Sequence, residues 1–108
     1  MANAKKNVEN ICEKRELIND EVSNIFKILG DKTRLEILFV LEHKSLCVSN
    51  LVEILGFSQS LVSHQLKVLR DNNIVCTQRA GNKIFYSLAD EHITSLLKIA
   101  KEHASEKV

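Results

Sequence analysis

Proline is absent from this chain of 108 residues, glycine occurs three times, and neither charge sign dominates: fifteen Lys and Arg stand against fourteen Asp and Glu, a net charge of +1. Few forced breaks, with 44% hydrophobic and 27% charged residues, exclude low-complexity disorder and fit a globular, mostly helical chain. The length suits one domain over 1–108, without room for a second core. The longest apolar run, Ile37 to Leu41, is five residues, far short of the roughly 20 that span a bilayer, so no membrane partner is expected. The polar stretch Met1 to Asn10 has no apolar centre of a secretory signal. Cys12, Cys47 and Cys76 are odd in number and lack a C-x-x-C spacing, which does not make a disulfide framework. The expectation is a cytoplasmic protein with reduced thiols.

What is present is a succession of periodic segments. From Glu13 to Leu29, Leu17, Val22, Ile25, Phe26, Ile28 and Leu29 keep a rough helical period, and Gly30 supplies a stop. Residues 1–15 form an N-terminal arm ahead of it. Asp31 is placed to cap a second helix with Leu35, Ile37, Leu38 and Leu41 on its apolar face, and the pattern fades at His43-Lys44 on a solvated helix end. Residues 49–70 carry two short helical patterns split by Gly56-Phe57-Ser58, a helix-turn-helix. The second pattern begins after Ser58, a good N-cap, and sets Gln59, Ser60, Ser63, His64 and Lys67 between its apolar positions.

Over 74–88 the period becomes alternation: Ile74, Cys76 and Gln78, then Lys83, Phe85 and Ser87. This predicts a β-hairpin with a three-residue loop at Ala80-Gly81-Asn82, and makes Cys76 a core residue. Residues 90–106 return to helical spacing with Ile93, Leu96, Leu97 and Ala100. The expected class is mainly α with a β-hairpin wing, α+β.

The charge is unevenly spread. Residues 58–86 hold four basic groups against one acidic, whereas each remaining stretch is neutral or slightly acidic. Lys67 and Arg70 flank the second helix of the pair, and Arg79 and Lys83 sit either side of the hairpin tip, where phosphates or a groove edge are within reach. Ser58, Gln59, Ser60, Ser63, His64, Lys67, Arg79 and Lys83 are therefore the candidate contacts to double-stranded DNA.

Three blocks carry a resemblance: Asp31-Lys32-Thr33-Arg34-Leu35-Glu36-Ile37-Leu38, then Leu46-Cys47-Val48-Ser49-Asn50-Leu51, then Ser58 through Leu69. Together with the hairpin, over about residues 15 to 106, they resemble the ArsR/SmtB family of bacterial metal-sensing repressors. The resemblance implies a homodimeric winged helix-turn-helix protein that binds operator DNA when metal-free and releases it when metal binds. Lys32 stands where many relatives carry proline, which removes only a preset helix start.

Asp90, His92, His103 and Glu106 lie on or beside the last helix. At 100° per residue the two histidines point in nearly the same direction and Glu106 follows on that stripe, yet at about 1.5 Å per residue they are ~16 Å apart along the axis. One helix cannot close a site, because a zinc–nitrogen bond is about 2.0 Å. Two antiparallel copies could, with Asp90 and His92 of one meeting His103 and Glu106 of the other, making two sites per dimer. Two imidazoles and two carboxylates suit zinc, or cobalt or nickel. The pattern is also similar to the C-terminal helix site of the family's zinc-sensing members. Against this, Asp90 could serve only as an N-cap and the histidines as surface residues.

A second family site uses thiolates. Cys47 matches it and Cys12 is a candidate partner, but Ser49 and Asn50 occupy ligand positions with neutral groups that bind a soft ion poorly. An alternative is a redox-responsive repressor using these thiols. No H-E-x-x-H, glycine-rich loop or catalytic dyad is present, so an enzyme is not expected.

Overall fold

The computed structural model describes residues 2–106, with side chains described for residues 15, 16 and 18–106. It divides into two compact units, Met1–Gly30 and Asp31–Val108. The first is a single helix, α1 (Ala2–Leu29), closed by a bond from Gly30 N–H to Phe26 O of 2.9 Å. Of its described apolar residues, Ile18, Val22 and Phe26, spaced by one turn, are exposed, whereas Ile28 and Leu29 are buried. Leu17 of the helical pattern and Cys12 fall outside the described side chains.

The second unit runs α2 (Lys32–Leu41), α3 (Val48–Leu55), α4 (Gln59–Asp71), β1 (Val75–Ala80), β2 (Lys83–Leu88) and α5 (Glu91–Ser105). Three of its four helices, α2, α4 and α5, start where a side chain accepts an orphan N–H. Asp31 Oδ1 accepts from Arg34 N–H at 3.0 Å, Ser58 Oγ from Leu61 N–H at 3.2 Å, and Asp90 Oδ1 from His92 N–H at 2.9 Å and Ile93 N–H at 3.2 Å. Gly56, at φ 74°, ends α3 in the left-handed conformation that lets the chain turn sharply into α4.

The end of α4 is a Schellman closure: Ile74 N–H bonds Leu69 O at 2.9 Å and Asn73 N–H bonds Arg70 O at 3.1 Å. It places Asn73 at φ 59°, the one non-glycine positive φ among the described residues. Asparagine tolerates this region better than most residues.

The core of this unit joins Ile37, Leu38 and Leu41 of α2, Leu51 of α3, Val62, Leu66 and Leu69 of α4, Ile74 and Val75, and Ile93 and Leu97 of α5, all buried. The hairpin is antiparallel, pairing Val75 with Leu88 and Ala80 with Lys83. Its base is joined to the α2–α3 connection by reciprocal bonds between Leu46 and Tyr86, 3.0 and 2.8 Å.

Two expectations are corrected. The hairpin loop is two residues, Gly81-Asn82, because Ala80 remains paired and Gly81 at φ 64° makes the reversal without a third residue. Cys76 is exposed, not core. The closure at Ile74 delays the strand by one position, so Val75 turns inward and Cys76 outward, beside Ser87 Oγ at 3.2 Å.

Candidate functional site

The α4 side chains sort by helical angle. Val62, Gln65, Leu66 and Leu69 face inward, and Gln59, Ser60, Ser63, His64 and Lys67 are exposed. Ser58, Arg79 and Lys83 are exposed as well. One surface thus presents hydroxyl, amide, imidazole and ammonium groups, suited to reading base edges and phosphates. Four of these groups are engaged locally, Ser60 through its Oγ, 3.4 Å from Ser58 Oγ. Ser58 Oγ caps α4, Arg79 Nε donates to Gly81 O at 3.2 Å, and Lys67 Nζ pairs with Asp71 Oδ2 at 3.1 Å. The Lys67–Asp71 pair is exposed on both sides and spaced i,i+4. Such pairs contribute only ~0.3 to 0.5 kcal/mol, so a phosphate can displace the carboxylate. The Asp71 partnership was readable from that spacing.

The four C-terminal candidates occupy the two ends of α5. Asp90 is the N-cap, with its Oδ1 3.5 Å from His92 Nδ1, and the His92 side chain is 95% exposed. His103 is exposed in the last turn, and Glu106 is the exposed C-cap residue. Asp90 and His92 are brought together, His103 and Glu106 stand three positions apart at the other end, and one chain does not unite the two pairs: among the described residues no group of three or more His, Cys, Asp or Glu could hold a metal ion. Both capping bonds of Asp90 fall on Oδ1, and a carboxylate has a second oxygen for another partner. Exposed carboxylates and imidazoles at both helix ends thus fit a hard or borderline divalent ion, provided that a second helix supplies the other half.

Sequence reading passed over Ile99. It is 62% exposed and, at 100° per residue, lies within about 40° of both histidines. Leu96, half-buried, flanks the same stripe.

Cys47 is buried, 5% exposed, and caps α3. Its Sγ lies 3.2 Å from Ser49 Oγ and donates to Asn50 Oδ1 at 3.0 Å, while its own N–H reaches Asn50 Oδ1 at 3.2 Å. Ser49 and Asn50 thus serve the thiol as hydrogen-bond partners. The Ser49 hydroxyl, then the backbone N–H of Asn50, and to a lesser extent the Lys83 charge, hold the thiol below its usual pKa against the opposing effect of burial. It borders a cleft of about 270 Å³ lined also by Val48, Asn82, Lys83, Ile84 and Tyr86.

A helix-turn-helix followed by an antiparallel hairpin, with a polar and basic outer helix face, defines a winged helix-turn-helix regulator. The family described as bacterial regulatory protein, arsR family, matches residues 31–77. The chain is 43% identical over 84 residues to the HTH-type transcriptional regulator NmtR of Mycobacterium tuberculosis, covering 78% of this chain and 70% of that one. It is 36% identical over 86 residues to the transcriptional repressor SmtB homolog of Synechocystis, covering 80% of this chain. The matched region spans 65% of that relative's length. Among solved structures, the homodimeric winged helix-turn-helix DNA-binding domain Mb0332 of Mycobacterium bovis superposes with a TM-score of 0.80 at 25% identity, over 85% of each chain. The chain belongs to the ArsR/SmtB family of transcriptional regulators, and its relatives are repressors and regulators, not enzymes.

Proposed function

We propose that two copies of this chain form a cytoplasmic repressor that holds operator DNA when metal-free and lets go when zinc, or cobalt or nickel, is held between its C-terminal helices. The observation that carries this reading is the exposed stripe of α5: Asp90 and His92 at one end, His103 and Glu106 at the other, and exposed Ile99 between them. Pairing two such helices antiparallel sets His92 level with His103 of the second copy, and by the same arithmetic Leu96 level with its Ile99. The apolar contact and the two ligand sets then come from one docking. Relatives named for cadmium resistance and for arsenical resistance, both in Staphylococcus aureus, support a metal- or metalloid-sensing role.

In the free dimer, two α4 helices spaced for successive major grooves, about 34 Å apart, present Gln59, Ser60, Ser63, His64 and Lys67 to base edges. Ser58 secures the start of each helix, and Arg79 and Lys83 reach flanking phosphates. Zinc supplies four-coordinate bonding without redox chemistry. Asp90 and His92 of one copy, with His103 and Glu106 of the other, would hold the ion, which would tie the two α5 helices and disfavour the DNA-competent spacing. A coupling of ~1 to 3 kcal/mol is sufficient for a five- to hundredfold loss of affinity.

Fluorescence anisotropy on a duplex from upstream of the protein's own gene, at fixed salt with and without two zinc ions per dimer, tests this. Tight binding weakened by zinc, with His103→Ala binding DNA equally but ignoring zinc, is expected. Zinc-indifferent binding by the native chain contradicts it.

A second reading is favoured by the activated thiol of Cys47 in its cleft: a repressor of the same fold switched by thiol oxidation, with Cys12 as the candidate partner. Peroxide-sensitive DNA binding that Cys47→Ser removes and chelators do not affect supports that reading.

A further inference from the structure

We propose that Gln65 is a positioning residue: it fixes the rotation of α4 against the start of α2, and sequence discrimination on DNA depends on it. This rests on the reading of α4 as the helix that contacts DNA. Gln65 is the one buried polar or charged residue among the described side chains, 6% exposed. It sits between Val62, Leu66 and Leu69, which are fully buried. Arg34 Nε donates to Gln65 Oε1 at 2.7 Å, and Gln65 Nε2 donates to Asp31 Oδ1 at 3.5 Å. The same Asp31 oxygen accepts from Arg34 N–H at 3.0 Å. The N-cap and third residue of α2 thereby grip the middle of α4 through one amide.

The physical case is one of direction. Apolar contacts are non-directional and allow a helix to roll in its groove at small cost. A short hydrogen bond to a guanidinium is directional and strong. Burying an amide among aliphatic side chains has a desolvation cost that an apolar residue of the same volume would avoid. Gln65 lies one or two residues from Ser63, His64 and Lys67, so the bond that orients it orients them. A roll of about 10° at a helix radius of ~5 to 6 Å moves side-chain tips by ~1 Å. Hydrogen bonds to base edges do not tolerate that displacement, whereas contacts to phosphates do.

The test compares Gln65→Met, which keeps volume and removes both polar functions, with Gln65→Glu, which keeps an acceptor for Arg34. Each full-length variant is titrated onto the upstream duplex and onto a scrambled duplex of equal length, and the α2–α4 angle is measured by residual dipolar couplings. Gln65→Met is expected to lose about tenfold affinity for the upstream duplex. Binding to the scrambled duplex and the salt dependence stay as in the native chain, the couplings report a turned α4, and Gln65→Glu recovers part of the discrimination, since it restores the acceptor for Arg34 but sets a second carboxylate against Asp31 Oδ1. Equal loss on both duplexes together with a lowered melting temperature would mean a structural role and overturn the proposal. Native discrimination by Gln65→Met would overturn it too. If the native chain itself fails to separate the two duplexes, the DNA reading of α4 falls, and the couplings still decide: an unturned α4 in Gln65→Met refutes the positioning role.

Discussion

Replacing Ile99 by alanine tests whether the exposed stripe of α5 is covered by a second copy. Ile→Ala removes three carbon groups, worth ~0.8 kcal/mol each, ~2.4 kcal/mol in all, when fully withdrawn from water. Ile99 is 62% exposed in the single chain, so docking can bury at most that fraction of its surface, ~1.5 kcal/mol per copy. Twofold symmetry counts the residue twice, giving ~3 kcal/mol and about a hundredfold weaker dimer. The fold of each chain should be nearly untouched, because an exposed side chain contributes little to its own unit. Sedimentation equilibrium over a dilution series measures the dimer constant, and thermal melting of the dissociated chain provides the control. A dimer constant unchanged by Ile99→Ala would refute antiparallel docking along this stripe. A melting temperature that falls without a change in association would place Ile99 in the chain's own core instead.

Two further outcomes follow from local geometry. Asn73→Val forces a β-branched residue into the left-handed region at φ 59° and should cost ~1 to 2 kcal/mol in urea unfolding, whereas Asn73→Gly should be close to neutral; equal stability of the two variants would contradict the Schellman closure. The Cys47 thiol, held below its usual range by Ser49 and Asn50, should form its thiolate at lower pH than a free cysteine near ~8.5. Its folded-state pKa is depressed, so the stability it adds is present above the unfolded value and lost as pH falls through the folded one. Thiolate absorbance should titrate early in the native chain and later in Ser49→Ala, and coincident curves would refute the assignment.

The helix starts were legible because capping is local chemistry: Asp31, Ser58 and Asp90 stand where their side chains accept from the first turn. The wing was legible as alternation, but its phase was not. A single left-handed residue at Asn73 absorbs Ile74 into the helix closure, and everything after it shifts by one, which turns Cys76 outward. Asn72-Asn73 after an amphipathic run carried that signal. The polar face of α4 could be read from spacing. Gln65 could not, since a glutamine on an apolar face does not disclose partners 31 and 34 positions away. The α5 ligands were legible as two halves of a site; joining them requires a partner that no single chain contains.

The origin of those halves can be measured by mixing. A chain carrying His92→Ala and a chain carrying His103→Ala each form dimers in which both proposed sites lack one histidine. In the mixed dimer, one site loses both histidines and the other keeps both. Zinc titration of the separate and mixed proteins is therefore the most direct measurement. The account predicts weak binding by each variant alone and recovery of about one tight zinc ion per mixed dimer, as expected for a site shared across a twofold interface. Mixing that restores nothing, or a single variant that binds zinc as the native chain does, would contradict the shared site at the ends of α5.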